Sequence, residues 1–193
     1  MMHKANKKYQ AIILAGKELF WKHGFGRVSV EEVCKNAGVS KMTFYKYFRN
    51  KNELVKAILN GIIEKSMLEY REYWDSDLPF EKKVGKTIEF KMKYSADISK
   101  EFITDLYANP DPELKVFIQS LLDANVEMIR NDFTKAQKKG EISSALNIEI
   151  ILHFINKIPE LISDPKLTEN YDSPQQLIRE FMEFFFYGII PRK

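Results

Sequence analysis

The sequence contains a single cysteine, Cys34, so the chain cannot form a disulfide within itself. It also lacks any run of about 20 apolar residues, the length that a helix needs to cross a bilayer. The nearest approach is the short segment FMEFFFYGII at 181–190, which Glu183 interrupts. No apolar segment follows the basic N-terminal residues, as a secretory signal would require. These absences predict a soluble cytoplasmic protein with no membrane partner.

Catalytic and metal-binding motifs are missing as well. The three histidines, His3, His23 and His153, lie in the N-terminal segment, at a helix end and in an apolar helix, and none belongs to a His-Glu-x-x-His motif. The sequence has no cysteine pair, no glycine-rich phosphate loop and no G-x-S-x-G nucleophile motif. We therefore expect a protein that is not an enzyme and that uses no cofactor and no metal.

Net charge is small but unevenly distributed. The 193 residues carry a formal net charge of +3. Residues 1–60 hold 12 Lys or Arg and 4 Asp or Glu, whereas residues 61–193 hold 18 and 23, so the first segment is +8 and the second −5. An excess of positive charge in one segment is typical of a nucleic-acid-binding region. The hydrophobic (45%) and aromatic (13%) contents are those of a folded globular protein.

A helix-turn-helix pattern lies in the basic segment. Ser29 and Glu32 have the Ser-x-x-Glu spacing of a capping box, which satisfies free N–H groups where a helix starts. Gly38 can adopt the left-handed conformation that ends this first helix. Ser40 then caps a second short helix, at a distance that fits helix-turn-helix geometry.

The second helix, residues 41–47, has an outward face with a distinctive composition. On a helical wheel of about 100° per residue, Phe44 and Phe48 share the buried side. Groups suited to phosphates and base edges lie opposite or on the flanks: Met42, Thr43, Tyr45 and Lys46. From Ser40 to Lys51 there are four basic residues and no acid. This composition favours contact with a DNA major groove.

Lys51 occupies an unusual position for a cation. Asn50 and Glu53 have the spacing of another capping box, which places Lys51 at the first position of the next helix. A positive charge there opposes the helix dipole, at a cost of roughly 0.3–1 kcal/mol. That cost is understandable if a phosphate binds the helix start, where the ammonium and the free N–H groups would hold it together.

The pattern G-F-x-x-x-S-V-E-E-V-x-x-x-A-G-V-S-K-x-T-F-Y-x-Y-F-x-x-K-x-E-L resembles the DNA-binding domain of the TetR (tetracycline repressor) family of bacterial transcription regulators. The resemblance runs from about Ala11 to Leu54. The family usually has Ala where Cys34 stands and often Gly where Met42 stands. Cys34 is a small hydrophobe and should be harmless, but Met42 alters the base-facing surface, so the operator sequence cannot be carried over.

The resemblance and the helical wheel together suggest how DNA would be contacted. We expect the residues facing the groove to be Met42, Thr43, Tyr45 and Lys46. We expect the phosphates to be held by Arg27, Ser29, Lys41, Tyr47 and Lys51.

The rest of the chain shows helical periodicity and no alternating strand pattern. We predict an all-α fold of about nine helices. A three-helix helix-turn-helix domain would occupy residues 1–54, and a helical effector-binding and dimerisation domain residues 55–193. The fourth helix, about 51–73, would link the two domains.

The last two long helices, about 148–162 and 174–187, are apolar around most of their circumference. One small domain can bury one face of each, and the surplus needs a partner. A two-fold dimer that packs the helix pair against its copy as a four-helix bundle would cover it, and the TetR family dimerises through its last two long helices. The predicted interface residues are Ile151, Phe154, Ile155, Ile158, Phe181, Met182 and Phe185.

Residues between 80 and 140 include aromatic and soft side chains with a few polar points among them. Such stripes are more often plain core, but TetR-family regulators usually bind an effector in this domain. The resemblance therefore suggests a pocket for an apolar or aromatic small molecule. Its candidate lining residues are Phe90, Tyr94, Phe102, Leu106, Tyr107, Phe117, Leu121, Asn125 and Met128.

These observations predict a homodimeric repressor that binds a palindromic operator and releases it when an effector binds. One alternative keeps DNA binding without an effector, as an accessory protein or a partner-controlled activator. A remoter alternative is a helical enzyme or scaffold. Binding to a defined operator excludes the last, and effector-induced release excludes the first.

Overall fold

The computed structural model describes residues 6–108 and 111–189. This part of the chain forms ten α-helices and no strand, which confirms the all-α prediction. The helices are α1 (Lys7–His23), α2 (Val30–Ala37), α3 (Lys41–Tyr47), α4 (Lys51–Trp74), α5 (Phe80–Ser95), α6 (Lys100–Ala108), α7 (Pro112–Lys138), α8 (Ile148–Ser163), α9 (Pro165–Thr168) and α10 (Pro174–Ile189). The sequence pattern did not predict α9, because a helix of four residues is too short to show periodicity.

The start and end signals in the helix-turn-helix segment act as predicted. The Ser29 side chain accepts from the backbone N–H of Glu32, and the Glu32 carboxylate accepts from the backbone N–H of Ser29 at 2.7 Å, so the capping box is complete. Gly38 ends α2 in the left-handed conformation at φ 64°. Ser40 caps α3 by accepting from Thr43. These bonds set the helix boundaries locally.

Contacts between residues group the chain into two compact units. The first runs up to Met67 and includes Asp97–Leu114, and the second comprises Leu68–Ala96 and the residues from Lys115 onward. The predicted functional division after residue 54 stays a prediction. The compact unit that contains the helix-turn-helix is larger than that domain, because α6 packs against α1.

The core of the first unit is built around α1. Ile12 and Phe20 of α1 are fully buried, as are Phe44 of α3 and Leu54 of α4. Gly16 lets α1 approach closely, since a Cβ atom there would lie 2.7 Å from the Leu54 side chain. The buried side of α1 is therefore the contact surface around which this unit is assembled.

Phe102 belongs to this same core, and its assignment to an effector pocket stays a prediction. Its ring lies 4.3 Å from that of Trp21 and 5.9 Å from that of Phe25, and its side chain is 2% exposed. The backbone N–H of Ser99 also donates to the carbonyl of Trp21. The aromatic residue therefore fixes α6 to α1 and has little surface left for a ligand.

The second unit has an aromatic core that includes a buried carboxylate. Trp74 stacks between Tyr70 and Phe133, with ring centroids 5.4 and 6.1 Å away. Asp132 is buried and accepts from the Tyr70 hydroxyl at 3.0 Å and from the Arg71 guanidinium at 2.8 Å. Burial raises the pKa of the Tyr70 phenol, so the tyrosine stays a neutral donor to the carboxylate.

The C-terminal helices expose a different set of apolar residues from the one predicted. Ile151 and Met182 are buried within the unit, and their place in a dimer interface stays a prediction. Ile155, Ile158, Phe181 and Phe185 are half-buried, and Phe154 is exposed. The largest exposed apolar side chains on α8 and α10 are Ile150, Phe154, Phe184 and Tyr187. None of the helices in the described part of the chain is long and apolar enough to span a membrane.

Candidate nucleic-acid interface

The outward face of α3 lies where the helical wheel predicts it. Phe44 and Phe48 are buried, and Phe48 stacks on Tyr9 of α1 at 5.3 Å. On the opposite side, Met42 is 83% exposed and Tyr45 is 55% exposed. Lys46 is also exposed and forms no ion pair with any residue that the structure describes. The packing of two phenylalanines therefore aims a thioether, a phenol and a free ammonium at the solvent.

Thr43 and Tyr47 are more constrained than their neighbours on this face. The Thr43 hydroxyl is 3.1 Å from the Ser40 hydroxyl at the start of α3, and the residue is half-buried. The Tyr47 ring packs edge-on against Tyr9 at 5.6 Å. Both positions border the exposed surface, so their polar atoms can reach a ligand with little rearrangement.

Two of the predicted phosphate contacts already have partners. The Ser29 hydroxyl donates to the Glu32 carboxylate at 2.8 Å as part of the capping box. Lys41 forms an ion pair with Glu31 of α2, and this hydrogen bond lowers the pKa of the Glu31 carboxyl. The sequence pattern did not reveal the pair, because the two residues lie on different helices. Arg27 is exposed and has no ion pair within the described residues.

Lys51 folds back instead of pointing away from the start of α4. Its ammonium donates to the carbonyl oxygens of Val28 at 2.8 Å and Gly26 at 3.1 Å. Desolvation lowers its pKa. The structure thus gives a second reason for a cation at this helix start, since it ties down the loop before α2. Its contact with phosphate stays a prediction.

The second predicted capping box forms only in part. The Asn50 side chain accepts from the backbone N–H of Glu53 at 2.9 Å. The Glu53 carboxylate, however, lies between two cations, 3.5 Å from Arg49 and 3.1 Å from Lys56. The half of the box that depends on the asparagine is confirmed, and the glutamate is used for ion pairing.

Asp105 is a residue of the first unit that sequence reasoning missed. From α6 it accepts a hydrogen bond from the backbone N–H of Gly26 at 2.7 Å. Gly24 in the same loop has φ 75°, and a Cβ atom there would lie 2.5 Å from the Asp105 carboxylate. The loop between α1 and α2 is therefore bonded to Lys51 on one side and to Asp105 on the other. A separation of 79 residues leaves no sequence signal for this contact.

The candidate effector residues are divided between the two units. In the second unit, Phe90 and Tyr94 are in contact at 4.7 Å, and Phe90 also packs against Tyr70 and Tyr73 at 6.1 and 6.2 Å. The half-buried residues of α7 in that unit are Phe117, Leu121, Asn125 and Met128. The remaining candidates, Phe102, Leu106 and Tyr107, belong to α6 of the first unit.

Residues 12–58 match the sequence profile of the family described as "Bacterial regulatory proteins, tetR family". The matched segment covers α1, α2, α3 and the start of α4, the same elements that build the exposed face described above. The matched segment is a DNA-binding domain of the TetR family. The protein is accordingly a DNA-binding transcription regulator of the helix-turn-helix type.

Similarity to characterised proteins extends beyond the DNA-binding segment. The HTH-type transcriptional regulator UidR of Escherichia coli K12 is 24% identical over 149 residues, which cover 76% of this chain and 75% of UidR. The fatty acid metabolism regulator protein of Bacillus subtilis is 26% identical over 166 residues, 80% of each chain. The crystal structure of FadR from Bacillus subtilis in complex with stearoyl-CoA superposes with a TM-score of 0.73, at 19% identity, over 94% of this chain and 99% of that one. At that identity the structural likeness concerns the fold.

Proposed function

We propose that this TetR-family protein is an effector-responsive repressor that binds a palindromic operator as a homodimer in the cytoplasm and catalyses no reaction. The observation that carries the proposal is the outward face of α3. Two buried phenylalanines fix the helix, and an exposed thioether, phenol and ammonium project from it. This is the arrangement that a recognition helix needs in a major groove.

The base-edge contacts are assigned to the residues that are exposed and unencumbered. Lys46 can donate to guanine, and Tyr45 and Met42 offer a hydroxyl and an apolar surface to the neighbouring bases. Thr43 adds a hydroxyl at the edge of this group. A base-reading role suits these side chains because none of the three most exposed has to break an ion pair first.

The phosphate contacts are assigned to the surrounding polar groups: Arg27, Ser29, Lys41, Tyr47 and Lys51. Arg27 is available at once, whereas Lys41 must leave Glu31 or share its ammonium with it. Lys51 must turn from the Val28 and Gly26 carbonyls or bind phosphate with its remaining donor. The affinity of these contacts is therefore reduced by the interactions that they replace.

The exposed apolar residues of α8 and α10 support a homodimer. Phe184 is 82% exposed and Tyr187 also projects from α10, while Ile150 and Phe154 project from α8. Large apolar side chains grouped on two helices mark an interaction surface. A two-fold packing of this helix pair against its copy would bury them and leave Ile151 and Met182 in the core of each subunit.

An effector site is proposed in the second unit beside Phe90 and Tyr94. The two rings are in contact, and Phe90 is only half-buried although it packs against Tyr70 and Tyr73. An aromatic wall that retains accessible surface can receive an apolar or aromatic molecule. An effector changes DNA affinity only to the extent that it binds the two conformations of the protein differently.

The test is selection of binding sites from a random pool of DNA duplexes, followed by titration of the selected site. We expect a palindromic sequence whose half-sites lie about one helical turn apart or a multiple of it, roughly 34–36 Å. Ligands that raise the melting temperature of the protein should then release it from that site. Failure to select any sequence contradicts the DNA-binding proposal. Stabilising ligands that never change DNA affinity would favour the effector-free alternative.

A further inference from the structure

The loop between α1 and α2, residues 24–29, presents two of the residues assigned to phosphate. Phe25 and Val28 of this loop are buried, whereas Arg27 lies between them and is exposed. Ser29 follows as the N-cap of α2. The position of the loop therefore decides where the Arg27 guanidinium and the start of α2 can meet DNA.

Both backbone polar groups of Gly26 are bonded to charged side chains. Its N–H donates to the Asp105 carboxylate of α6 at 2.7 Å, and its carbonyl accepts from the Lys51 ammonium at 3.1 Å. The Val28 carbonyl accepts from the same ammonium at 2.8 Å. Arg27 therefore has a bonded backbone group on either side of it, although its own side chain is free to reach a ligand.

The Asp105 carboxylate fits the loop closely, because two glycines make room for it. A Cβ atom at Gly24 would lie 2.5 Å from one carboxylate oxygen, and a Cβ atom at Gly26 would lie 3.0 Å from both oxygens. The carboxylate also acts on Lys51 across the loop. Desolvation lowers the pKa of the Lys51 ammonium, and the negative charge of Asp105 offsets part of that effect. Opposite charges from α4 and α6 thus hold the same loop.

The helix that carries Asp105 is itself fixed to α1 and to the loop. Just before α6 starts, the backbone N–H of Ser99 donates to the carbonyl of Trp21 at 3.0 Å. The Phe102 ring contacts those of Trp21 and Phe25 at 4.3 and 5.9 Å. Asp105 follows Phe102 by three positions, so the two side chains lie on the same face of α6. The carboxylate is therefore held in place by aromatic packing.

A carboxylate at this place works against DNA binding unless it has another role. A negative charge beside the residues assigned to phosphate repels the DNA backbone and lowers the affinity for every sequence. A neutral acceptor could bond the Gly26 N–H without that repulsion. A charged acceptor, however, makes a shorter and stronger hydrogen bond, so it holds the loop more firmly.

We propose that Asp105 is a positioning residue for DNA binding, which fixes the loop between α1 and α2 so that Arg27 and Ser29 reach the phosphate backbone. The proposal rests on the phosphate contacts proposed above. A loop that is free to move presents Arg27 correctly in only a fraction of the molecules, and the apparent affinity falls by that fraction. Asp105 acts through the loop and touches no DNA itself.

The test measures the Kd for mixed-sequence duplex DNA, because phosphate contacts do not depend on the base sequence. Anisotropy titrations at several salt concentrations use the full-length protein, below the melting temperature of every variant. The variants are Asp105→Ala and Asp105→Asn, with Asp97→Ala as the control. Asp97 is an exposed acid of the same compact unit and precedes α6 in the chain.

Asp105→Ala should weaken binding about tenfold, as the loss of a charge-assisted bond implies. It should also lower the salt slope by roughly one, because the Arg27 contact is lost. Asp105→Asn keeps an acceptor for the Gly26 N–H and should bind within about threefold of the natural protein. Asp97→Ala should bind as tightly as the natural protein or slightly more tightly. A purely electrostatic role for Asp105 predicts the opposite, tighter binding by both of its variants.

A double-mutant cycle with Arg27→Ala separates positioning from stability. Arg27→Ala alone should weaken binding and lower the salt slope by roughly one. Adding Asp105→Ala should then weaken binding little further, because both substitutions remove the same contact. A merely structural role for Asp105 would lower the melting temperature and leave the Kd of the folded protein unchanged.

The inference is overturned if folded Asp105→Ala binds DNA as tightly as the natural protein, if Asp105→Asn loses as much affinity as Asp105→Ala, or if the losses in the cycle are additive. Asp105→Glu serves if Asp105→Ala does not fold. It keeps the charge but moves the carboxylate by one methylene towards glycines that leave it no space, so it should also weaken binding. Unchanged affinity in Arg27→Ala would instead contradict the proposed phosphate contacts.

Discussion

Two surfaces of this TetR-family protein are equally exposed and chemically opposite. Met42 on α3 and Phe184 on α10 have nearly the same exposure, 83% and 82%. Met42 is accompanied on α3 by the exposed Tyr45 and Lys46, whereas the exposed apolar residues that accompany Phe184 on α8 and α10 are Ile150, Phe154 and Tyr187. The first composition suits a polyanion and the second suits an apolar copy of itself. The exposure of large apolar side chains indicates that a partner is expected, and the chemistry of the neighbouring side chains indicates which class of partner it is.

A charge placed on the apolar surface should have the largest effect. In Phe184→Glu, each subunit of a dimer would bury an unpaired carboxylate, at a cost of several kcal/mol per copy. We expect monomers in sedimentation equilibrium at micromolar concentration. Leu14→Glu is the control, because it puts the same charge on an exposed apolar residue of α1 in the first unit. If Phe184→Glu and the natural protein dimerise equally well, α10 is not the interface.

The interior behind the apolar surface should be nearly as sensitive. Asp132→Ala removes the buried acceptor of Tyr70 and Arg71, which leaves the Tyr70 hydroxyl without that partner and Arg71 paired with Asp75 alone. We expect the free energy of unfolding to fall by about 3–5 kcal/mol, as for other broken buried pairs. Asp75→Ala removes the exposed partner of the same Arg71 and should cost under about 1 kcal/mol. Urea titrations give the free energy of unfolding of both variants. Similar losses would contradict the distinction between the buried Asp132 and the exposed Asp75.

The cationic surface should respond in two separable ways. Lys46→Ala should weaken binding to the operator by about 1–3 kcal/mol and relax its sequence preference. Lys51→Met should weaken binding to all sequences alike and lower the salt slope by roughly one. Titrations of labelled DNA across salt concentrations measure both, with Lys65→Ala on α4 as the control.

Lys51 also permits a sharper distinction, because its ammonium is bonded to two carbonyls in the free protein. A variant that loses stability to urea but keeps its salt slope would show that Lys51 acts only on the loop before α2. Unchanged DNA affinity in both Lys46→Ala and Lys51→Met would remove the recognition-helix assignment.

The smallest expected effect is an increase in DNA affinity. Glu31→Gln removes an acid beside α3 and frees Lys41 for phosphate, so DNA affinity should rise for all sequences. Stability should hardly change, because the ion pair is exposed. Lys41 lowers the pKa of Glu31, so the pair is complete above the ordinary pKa of a glutamate and is lost as the pH falls through the lowered value. The advantage of the variant should therefore shrink at low pH. Weaker binding by Glu31→Gln would mean that the pair positions α3.

The helix-turn-helix was predictable because its signals are local. Ser29, Gly38 and Ser40 each act within a few residues of the boundary that they set, and the observed bounds of α2 and α3 agree with the prediction. The outward face of α3 follows from the positions of Phe44 and Phe48 in the same way. The predicted bounds of the fourth helix and of the last two long helices also lie within two residues of the observed ones.

Contacts between residues that are distant in the sequence were the ones that went unseen. Phe102 has the same aromatic character as Phe90, and only its contact with Trp21 shows that it belongs to the core of the first unit. Asp105 bonds to Gly26 across 79 residues. Lys51 was assigned to a DNA phosphate, and its bonds to the loop before α2 went unseen because those carbonyls lie more than 20 residues earlier.

By itself, the sequence determined the all-α class, the capped helix-turn-helix, the family and the sign of charge on the recognition face. Each of these depends on residue type and on spacing within one or two helical turns, where backbone geometry is fixed. Only the tertiary structure decided which apolar residues are core and which are exposed, as with Ile151 and Phe154. It also decided that Lys41 has an ion-pair partner on another helix. The burial of a side chain and its ion pairs depend on which helices pack together. The apolar periodicity of one helix does not change with the helix that packs against it, so it cannot predict them.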